Sequence, residues 1–249
     1  MNAEAVVNHL VEWLRQDVAE AGANGVVLGV SGGIDSAVAA VIAKRAFPDN
    51  IMALMLPCES NFNDLIHGQL LLEKFDIPFR IVDLDNAYHA LLTKYESYIK
   101  FDGKQGQLMK ANIKPRLRMM TLYYSAQGRN YLVVGTSNRS EIYMGYATKW
   151  GDNAVDLQLL GDLLKKEVYE LARYLEIPSL IINKPPSAGL WSGQTDEGEM
   201  GFSYEDLDAH IEGQEIDPRV AELIENMHKQ SEHKRRPVPI ALVPGSVRD

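Results

Sequence analysis

Six consecutive residues, Ser31-Gly32-Gly33-Ile34-Asp35-Ser36, combine small, hydroxyl-bearing and acidic side chains in an order suited to gripping a phosphorylated ligand. Gly32 and Gly33 allow backbone angles that a side chain forbids and bring main-chain N–H groups close to an anion. Ser31 and Ser36 can donate to phosphate oxygens, and a helix starting near Asp35 offers its positive end. Gly29 and Val30 feed this loop from the run Gly25-Val26-Val27-Leu28-Gly29-Val30, which predicts a buried strand. The segment lacks the Lys-Ser/Thr ending of a Walker loop and does not fit GxGxxG, so a dinucleotide fingerprint is set aside. An acid inside an anion-binding loop repels the ligand unless a divalent cation intervenes. Asp35 is therefore a candidate Mg2+ ligand, because that ion is usually held by one or two carboxylates plus phosphates. A glycine-rich turn with Asp35 as an ordinary helix cap would be preferred for an isolated Gly-Gly pair. For Ser-Gly-Gly-x-Asp-Ser after a buried strand, the phosphate loop is preferred.

The elements around the loop alternate. Val7, Leu10, Val11, Leu14 and Val18 recur at helical spacing over residues 4–20. After the loop, a helix is predicted through Ala46, then a strand at Ile51–Leu56, a helix at Leu65–Phe75, a strand at Phe79–Leu84 and a helix at Ala87–Tyr95. Residues 97–107 read as a polar interruption, followed by one long helix from Gln107 to Gln127 and a strand at Tyr131–Val134. Asp162 suits an N-cap for a helix over Leu163–Leu175. Residues 183–202 hold too many prolines and glycines for regular structure; two helices and a proline-punctuated tail, Pro237 to Pro244, follow. Strands alternating with helices imply an α/β fold, an open, mostly parallel sheet with helices on both faces. Ligands bind such sheets beyond the carboxyl ends of the strands, which is where the Ser31–Ser36 loop falls.

With 249 residues the chain is long enough for one well-buried core, and no repeat or boundary divides it, so 1–249 is read as a single domain. A formal net charge of −9 argues against non-specific nucleic-acid binding. One cysteine, Cys58, can form no internal disulfide and no CxxC site, and is expected to be a packed thiol. No signal-like N-terminal pattern and no bilayer-length apolar run is visible, so a cytoplasmic protein away from membranes is expected.

The loop resembles that of the ATP pyrophosphatases, the PP-loop enzymes that cleave ATP to AMP and pyrophosphate. Further segments resemble the NAD synthetases among them: Gly135-Thr136-Ser137-Asn138-Arg139-Ser140-Glu141, Thr148-Lys149-Trp150-Gly151-Asp152 with Val155-Asp156, and Gly161-Asp162-Leu163-Leu164-Lys165. Lys184-Pro185-Pro186-Ser187-Ala188-Gly189-Leu190-Trp191, Gly193-Gln194-Thr195-Asp196-Glu197 and Glu232-His233-Lys234-Arg235 are similar again, as are Asn112-Ile113 and Arg116. The specificity lies in the ordered set. Departures exist: Asn153-Ala154 stands where two glycines are frequent, Gln158-Leu159 where Asn-Pro is common, Gly189 for a frequent Asp and Ser187 for a frequent Thr.

The resemblance implies an adenine-nucleotide α-hydrolase-like, Rossmann-type fold and an ammonia-dependent ligase that turns deamido-NAD, ATP and ammonia into NAD, AMP and pyrophosphate through an acyl-adenylate. It implies that Gly29 to Ser36, Thr136, Lys165 and Ser187 bind ATP, and that Asp35 and Glu141 hold magnesium. Arg116, Lys149, Asp156, His233 and Lys234 would hold deamido-NAD, with Asp156 orienting ammonia or taking its proton. Each has a plainer reading. Lys165 could be a surface lysine, though the first turn of a helix is an odd place for a cation. Thr136 and Ser187 could cap turns. Arg116, with Lys110, Lys114 and Arg118, could form a solvated basic face, and His233-Lys234 sits in a charged run. Segments 97–107 and 183–202 are expected to act as lids that exclude water from the acyl-adenylate. The resemblance also implies a homodimer sharing its substrate site. With no room for a glutaminase domain, free ammonia or a partner glutaminase would supply nitrogen. The rival readings are another PP-loop amide ligase and a catalytically silent nucleotide sensor.

Overall fold

Val26, Val27 and Leu28 are all fully buried in the first strand, β1 (Gly25–Gly29), as a strand covered on both faces requires. The structure, a computed structural model, describes residues 1–191, 193–244 and 247; Ser192, within the breaker-rich segment 183–202, lies outside them. β1 is joined by β2 (Ile51–Met55), β3 (Phe79–Ile81), β4 (Tyr131–Gly135) and β5 (Leu157–Gln158). All pairings are parallel, in the order β3-β2-β1-β4-β5, with Val26 opposite both Ile51 and Leu132.

Side chains alternate between faces. Val26, Leu28, Ala53, Met55 and Val134 enter one core with α1 (Ala3–Glu20), α2 (Ile34–Ala46), α3 (Phe62–Lys74), α8 (Lys165–Tyr174) and α9 (Ser179–Ile182). Val27, Leu54 and Val133 face a second core with α4 (Asp85–Glu96) and α6 (Ile113–Gln127), which α5 (Gly103–Ala111) precedes. A third cluster, built on Met144, Met200, Phe202, Leu207 and Ile224, joins α7 (Arg139–Met144), α10 (Asp196–Met200), α11 (Tyr204–Ile211) and α12 (Pro218–Arg235). The strand order reverses between β1 and β4, and the crevice at their carboxyl ends is where a ligand is bound in such folds.

Four expectations are corrected. The long helix over Gln107–Gln127 is two helices meeting at Asn112, because Pro115 has no N–H to donate and its ring would strike the carbonyl of Ala111. α5 starts at Gly103, which shortens the expected 97–107 interruption, and the breaker-rich segment contains α10. Asp162 caps nothing: it is 103% exposed, and α8 starts three residues later with Leu164 at the cap position. Caps for α8 come instead from side chains distant in sequence, Ser140 and Asp208.

Candidate active site

The loop after β1 is shaped by its own hydroxyls. Ser31 N donates to Ser36 Oγ (3.2 Å), Ser36 Oγ donates to Gly33 O (3.0 Å), and Gly33 N donates to Ser31 Oγ (3.3 Å). Gly32 has φ +77°, and a Cβ there would run into the carbonyl of Asp64, so this turn admits glycine alone without a shift of α3. The loop opens on a cavity of about 800 Å³ whose wall includes Gly29, Val30, Ser31, Gly33, Ile34, Asp35 and Ser36. Gly32 turns behind the wall.

At the mouth of the loop Lys165 Nζ donates to Asp35 Oδ2 at 2.6 Å and to Glu141 Oε1 at 3.1 Å. The lysine is only 2% exposed, and its ammonium also lies 4.9 Å from the centre of the Tyr204 ring. Asn138, fully buried, donates from Nδ2 to Asp35 Oδ1 at 2.8 Å and accepts from Glu141 N at 3.0 Å, while Asn138 N donates to Glu141 Oε2. That capping box starts α7 and fixes both carboxylates from one residue. Burial pushes the Glu141 carboxyl up to about 7, with Lys165 opposing and Asp35 adding to the rise. Burial would lower Lys165, but Asp35 and Glu141 outweigh it and hold the ammonium above its ordinary range.

The far wall carries Thr136, Arg116, Lys149, His233 and Lys234. Arg116 Nε and Nη2 donate to the Lys149 carbonyl at 3.3 and 3.1 Å, and Lys234 Nζ donates to the carbonyls of Gly145 and Ala147, both at 2.8 Å. Asp156 stands apart from these. Its carboxylate accepts from Val133 N (2.7 Å) and Tyr123 Oη (3.1 Å), and it lies outside the cavity wall, which Asp152 joins instead.

The segment carrying Ser187 is anchored rather than loose. Ser187 Oγ donates to Gln194 O, Ala188 N donates to the buried Asp196, and Leu190 N donates to Gln194 Oε1. Lys184 pairs with Asp64 of α3 at 2.5 Å. Lys114, 4% exposed, reaches Leu190 O at 2.9 Å and Glu59 at 3.0 Å.

A family profile described as NAD synthase matches residues 6–238. A curated NH3-dependent NAD(+) synthetase of Syntrophomonas wolfei is 63% identical over the whole of both chains. The chain belongs to the NAD synthase family. Among solved structures, an NMN synthetase from Francisella tularensis shares 40% identity, a TM-score of 0.90 and coverage of 98% of this chain and 99% of its own. An NH3-dependent NAD synthetase from Campylobacter jejuni, solved with a nitrate ion, has 28% identity and a TM-score of 0.81, covering 97% of this chain and 100% of its own.

The chain gathers Asp35, Glu141 and Lys165 from three elements, and lines one cavity with every expected site residue except Gly32 and Asp156. Several polar residues here escape a reading of the sequence for chemistry. Asn138 was legible as the first member of an Asn-x-x-Glu capping box. Lys114 and Arg118 do not form a solvated face: Lys114 is buried against Glu59 and the Tyr88 ring, and half-buried Arg118 donates to Leu56 O and Ser60 Oγ. Nothing local in the sequence signals Asp196 or Asp208, whose burial comes from long-range packing.

Proposed function

We propose that this chain joins ammonia to the nicotinate carboxyl of deamido-NAD at the expense of ATP, releasing AMP and pyrophosphate. The observation that carries the reading is the buried Lys165 ammonium set between Asp35 and Glu141 at the mouth of the Ser31–Ser36 loop. A carboxylate is a poor electrophile, so the nicotinate oxygen first attacks the α-phosphorus of ATP. Main-chain N–H groups and hydroxyls of Gly29 to Ser36, with Thr136, Lys165 and Ser187, hold the triphosphate and take up charge as pyrophosphate leaves. Arg116, Lys149, His233 and Lys234 hold the dinucleotide. Ammonia then attacks the acyl-adenylate carbonyl, and AMP departs. The anchored 184–191 segment keeps water off that intermediate.

Asp35 and Glu141 fit a magnesium ion. The position on which both carboxylates converge is held by the Lys165 ammonium, so a magnesium ion would sit beside the lysine, where Asp35 and Glu141 border the cavity. Two carboxylates plus phosphates are an ordinary ligand set for this ion. Among the described residues no three His, Cys, Asp or Glu side chains gather into a metal site. When bound, magnesium neutralises charge on the departing pyrophosphate. Asp156, outside the cavity of its own chain, contributes to substrate binding in a homodimer. On α6, whose Tyr123 holds Asp156, the exposed side chains of Met120 and Tyr124 suit covering by a second copy. We read 1–249 as one catalytic domain, supplied with free ammonia or by a separate glutaminase, and at work in a reducing cytoplasm given its lone buried Cys58. Among the described residues no helix is long and apolar enough to cross a membrane.

A second substrate has one observation in its favour: the 40% identical solved structure is an NMN synthetase, so nicotinate mononucleotide is the competing acid. The test incubates the protein with ATP, Mg2+, ammonium and either acid, following pyrophosphate and the amide product. Pyrophosphate and NAD from deamido-NAD are expected, with Asp35→Ala abolishing both while leaving the fold intact. Amidation of the mononucleotide alone would move the assignment to that substrate. ATP binding without turnover of either would refute the enzyme.

A further inference from the structure

Asp208 belongs to no motif discussed above, yet the two helices that deliver Glu141 and Lys165 are joined on it. Glu141 lies in the first turn of α7 and Lys165 opens α8. Helix N-termini leave main-chain N–H groups unpaired, and their dipole disfavours an ammonium such as that of Lys165. Lys165 N donates to Ser140 Oγ at 3.0 Å, Ser140 Oγ donates in turn to Asp208 Oδ1, and Lys166 N donates to Asp208 Oδ2 at 2.9 Å. Ser140 is 0% exposed and Asp208 2%. Arg139 N donates to Leu163 O at 2.8 Å alongside. One carboxylate from α11 thus caps α8 from outside and fixes the residue next to Glu141.

We propose that Asp208, acting through Ser140, is a positioning residue for the ATP-cleaving half of the reaction: it sets α7 against α8 so that Glu141 and Lys165 face one another. Its negative charge also offsets the placement of an ammonium at the positive end of α8. Neither side chain lines the main cavity, so neither touches ATP or the acid. The inference rests on the proposed function. A purely structural cap would lower the unfolding temperature and leave turnover of the folded protein unchanged.

Asp208→Asn, Ser140→Ala and the double variant, in the full chain, separate the two. The asparagine keeps the size and one acceptor but loses the charge and must turn a donor towards Ser140 or Lys166 N. Pyrophosphate release and NAD formation are measured well below each variant's unfolding midpoint, varying ATP and deamido-NAD separately. Each single variant is expected to lose roughly ten- to a hundredfold in kcat, the worth of a charge-assisted hydrogen bond, with KM for deamido-NAD within about twofold of wild type. The double variant should be no worse than the poorer single one, because both act along one chain of contacts. If Asp208→Asn does not fold, the same kcat loss in Ser140→Ala decides. Wild-type kcat in the folded variants, or losses that multiply in the double variant, would overturn the inference alone. Wild-type protein that releases no pyrophosphate would overturn the proposed function and this inference with it.

Discussion

Replacing Lys165 with Met tests the centre of the site without reference to catalysis. Met is close to Lys in volume and leaves little cavity, so repacking contributes under about 1.5 kcal/mol. What is lost is the cation 2.6 Å from Asp35 and 3.1 Å from Glu141, in a position 2% exposed. At an effective dielectric near 20 each contact is worth roughly 5 kcal/mol before desolvation, and removing one partner of a buried pair costs about 3–5 kcal/mol net. For a chain of this size that corresponds to a fall of roughly 6–20 °C in Tm. The assay is urea unfolding followed by circular dichroism in EDTA at pH 8, with thermal melts alongside. Without the opposing lysine, the buried Glu141 carboxyl, already pushed up to about 7, holds its proton more tightly still than in the unfolded chain. A raised folded-state pKa makes stability fall as pH rises, so the deficit against wild type should widen from pH 6 to 8. Adding Asp35→Asn should return about half the loss or more, and millimolar magnesium should stabilise the single variant more than wild type. A variant within 1 kcal/mol of wild type at pH 8, or a deficit that shrinks as pH rises, would refute the buried triad.

Lys114→Met should free Leu190 and deprive Glu59 of its lysine, lowering stability by about 1–3 kcal/mol and speeding proteolysis within 184–191; an unchanged cleavage rate would refute the anchor. Burial pushes the Tyr88 and Tyr123 phenols up to about 12, Glu59 adding to the first and Asp156 to the second. Phenolate absorbance should therefore show a late step beyond the exposed tyrosines, diminished in Tyr123→Phe, with stability declining above pH 10 as the unfolded chain ionises first. Met120→Asp with Tyr124→Asp, the latter position 84% exposed, should convert a dimer to monomers on sedimentation while leaving the melting of the monomer unit within about 0.5 kcal/mol of wild type; unchanged sedimentation of a dimer would place its interface elsewhere.

The strands and the phosphate loop were legible because they depend on short runs: Gly25–Gly29 and Ile51–Met55 are apolar, buried on both faces and bounded by breakers. The two-residue β5 was not, since a strand of that length exists only through its pairing with β4. Pro115 was visible but was outvoted by the helical pattern on both sides, which says nothing of where one helix hands over to the next. Asp162 has the chemistry of a cap, yet α8 is capped by Ser140 and Asp208, residues that no local window brings near it. Lys114 and Arg118 look like surface charge because their partners, Leu190 and Glu59 for one and Leu56 and Ser60 for the other, arrive from distant loops. The side chains of the site could be nominated from sequence by their likeness to a family. Which of them share a wall, and that Asp156 turns outward, required the sheet.

The order β3-β2-β1-β4-β5 divides synthesis unevenly. The first 81 residues can assemble β1, β2 and β3 with three helices, so the loop after β1 can take shape while the ribosome is still building the rest of the chain. Asp35 then waits for Asn138, Glu141 and Lys165, all encoded more than a hundred positions later. A nascent or prematurely ended chain thus presents a half-made anion seat with an uncompensated carboxylate in it.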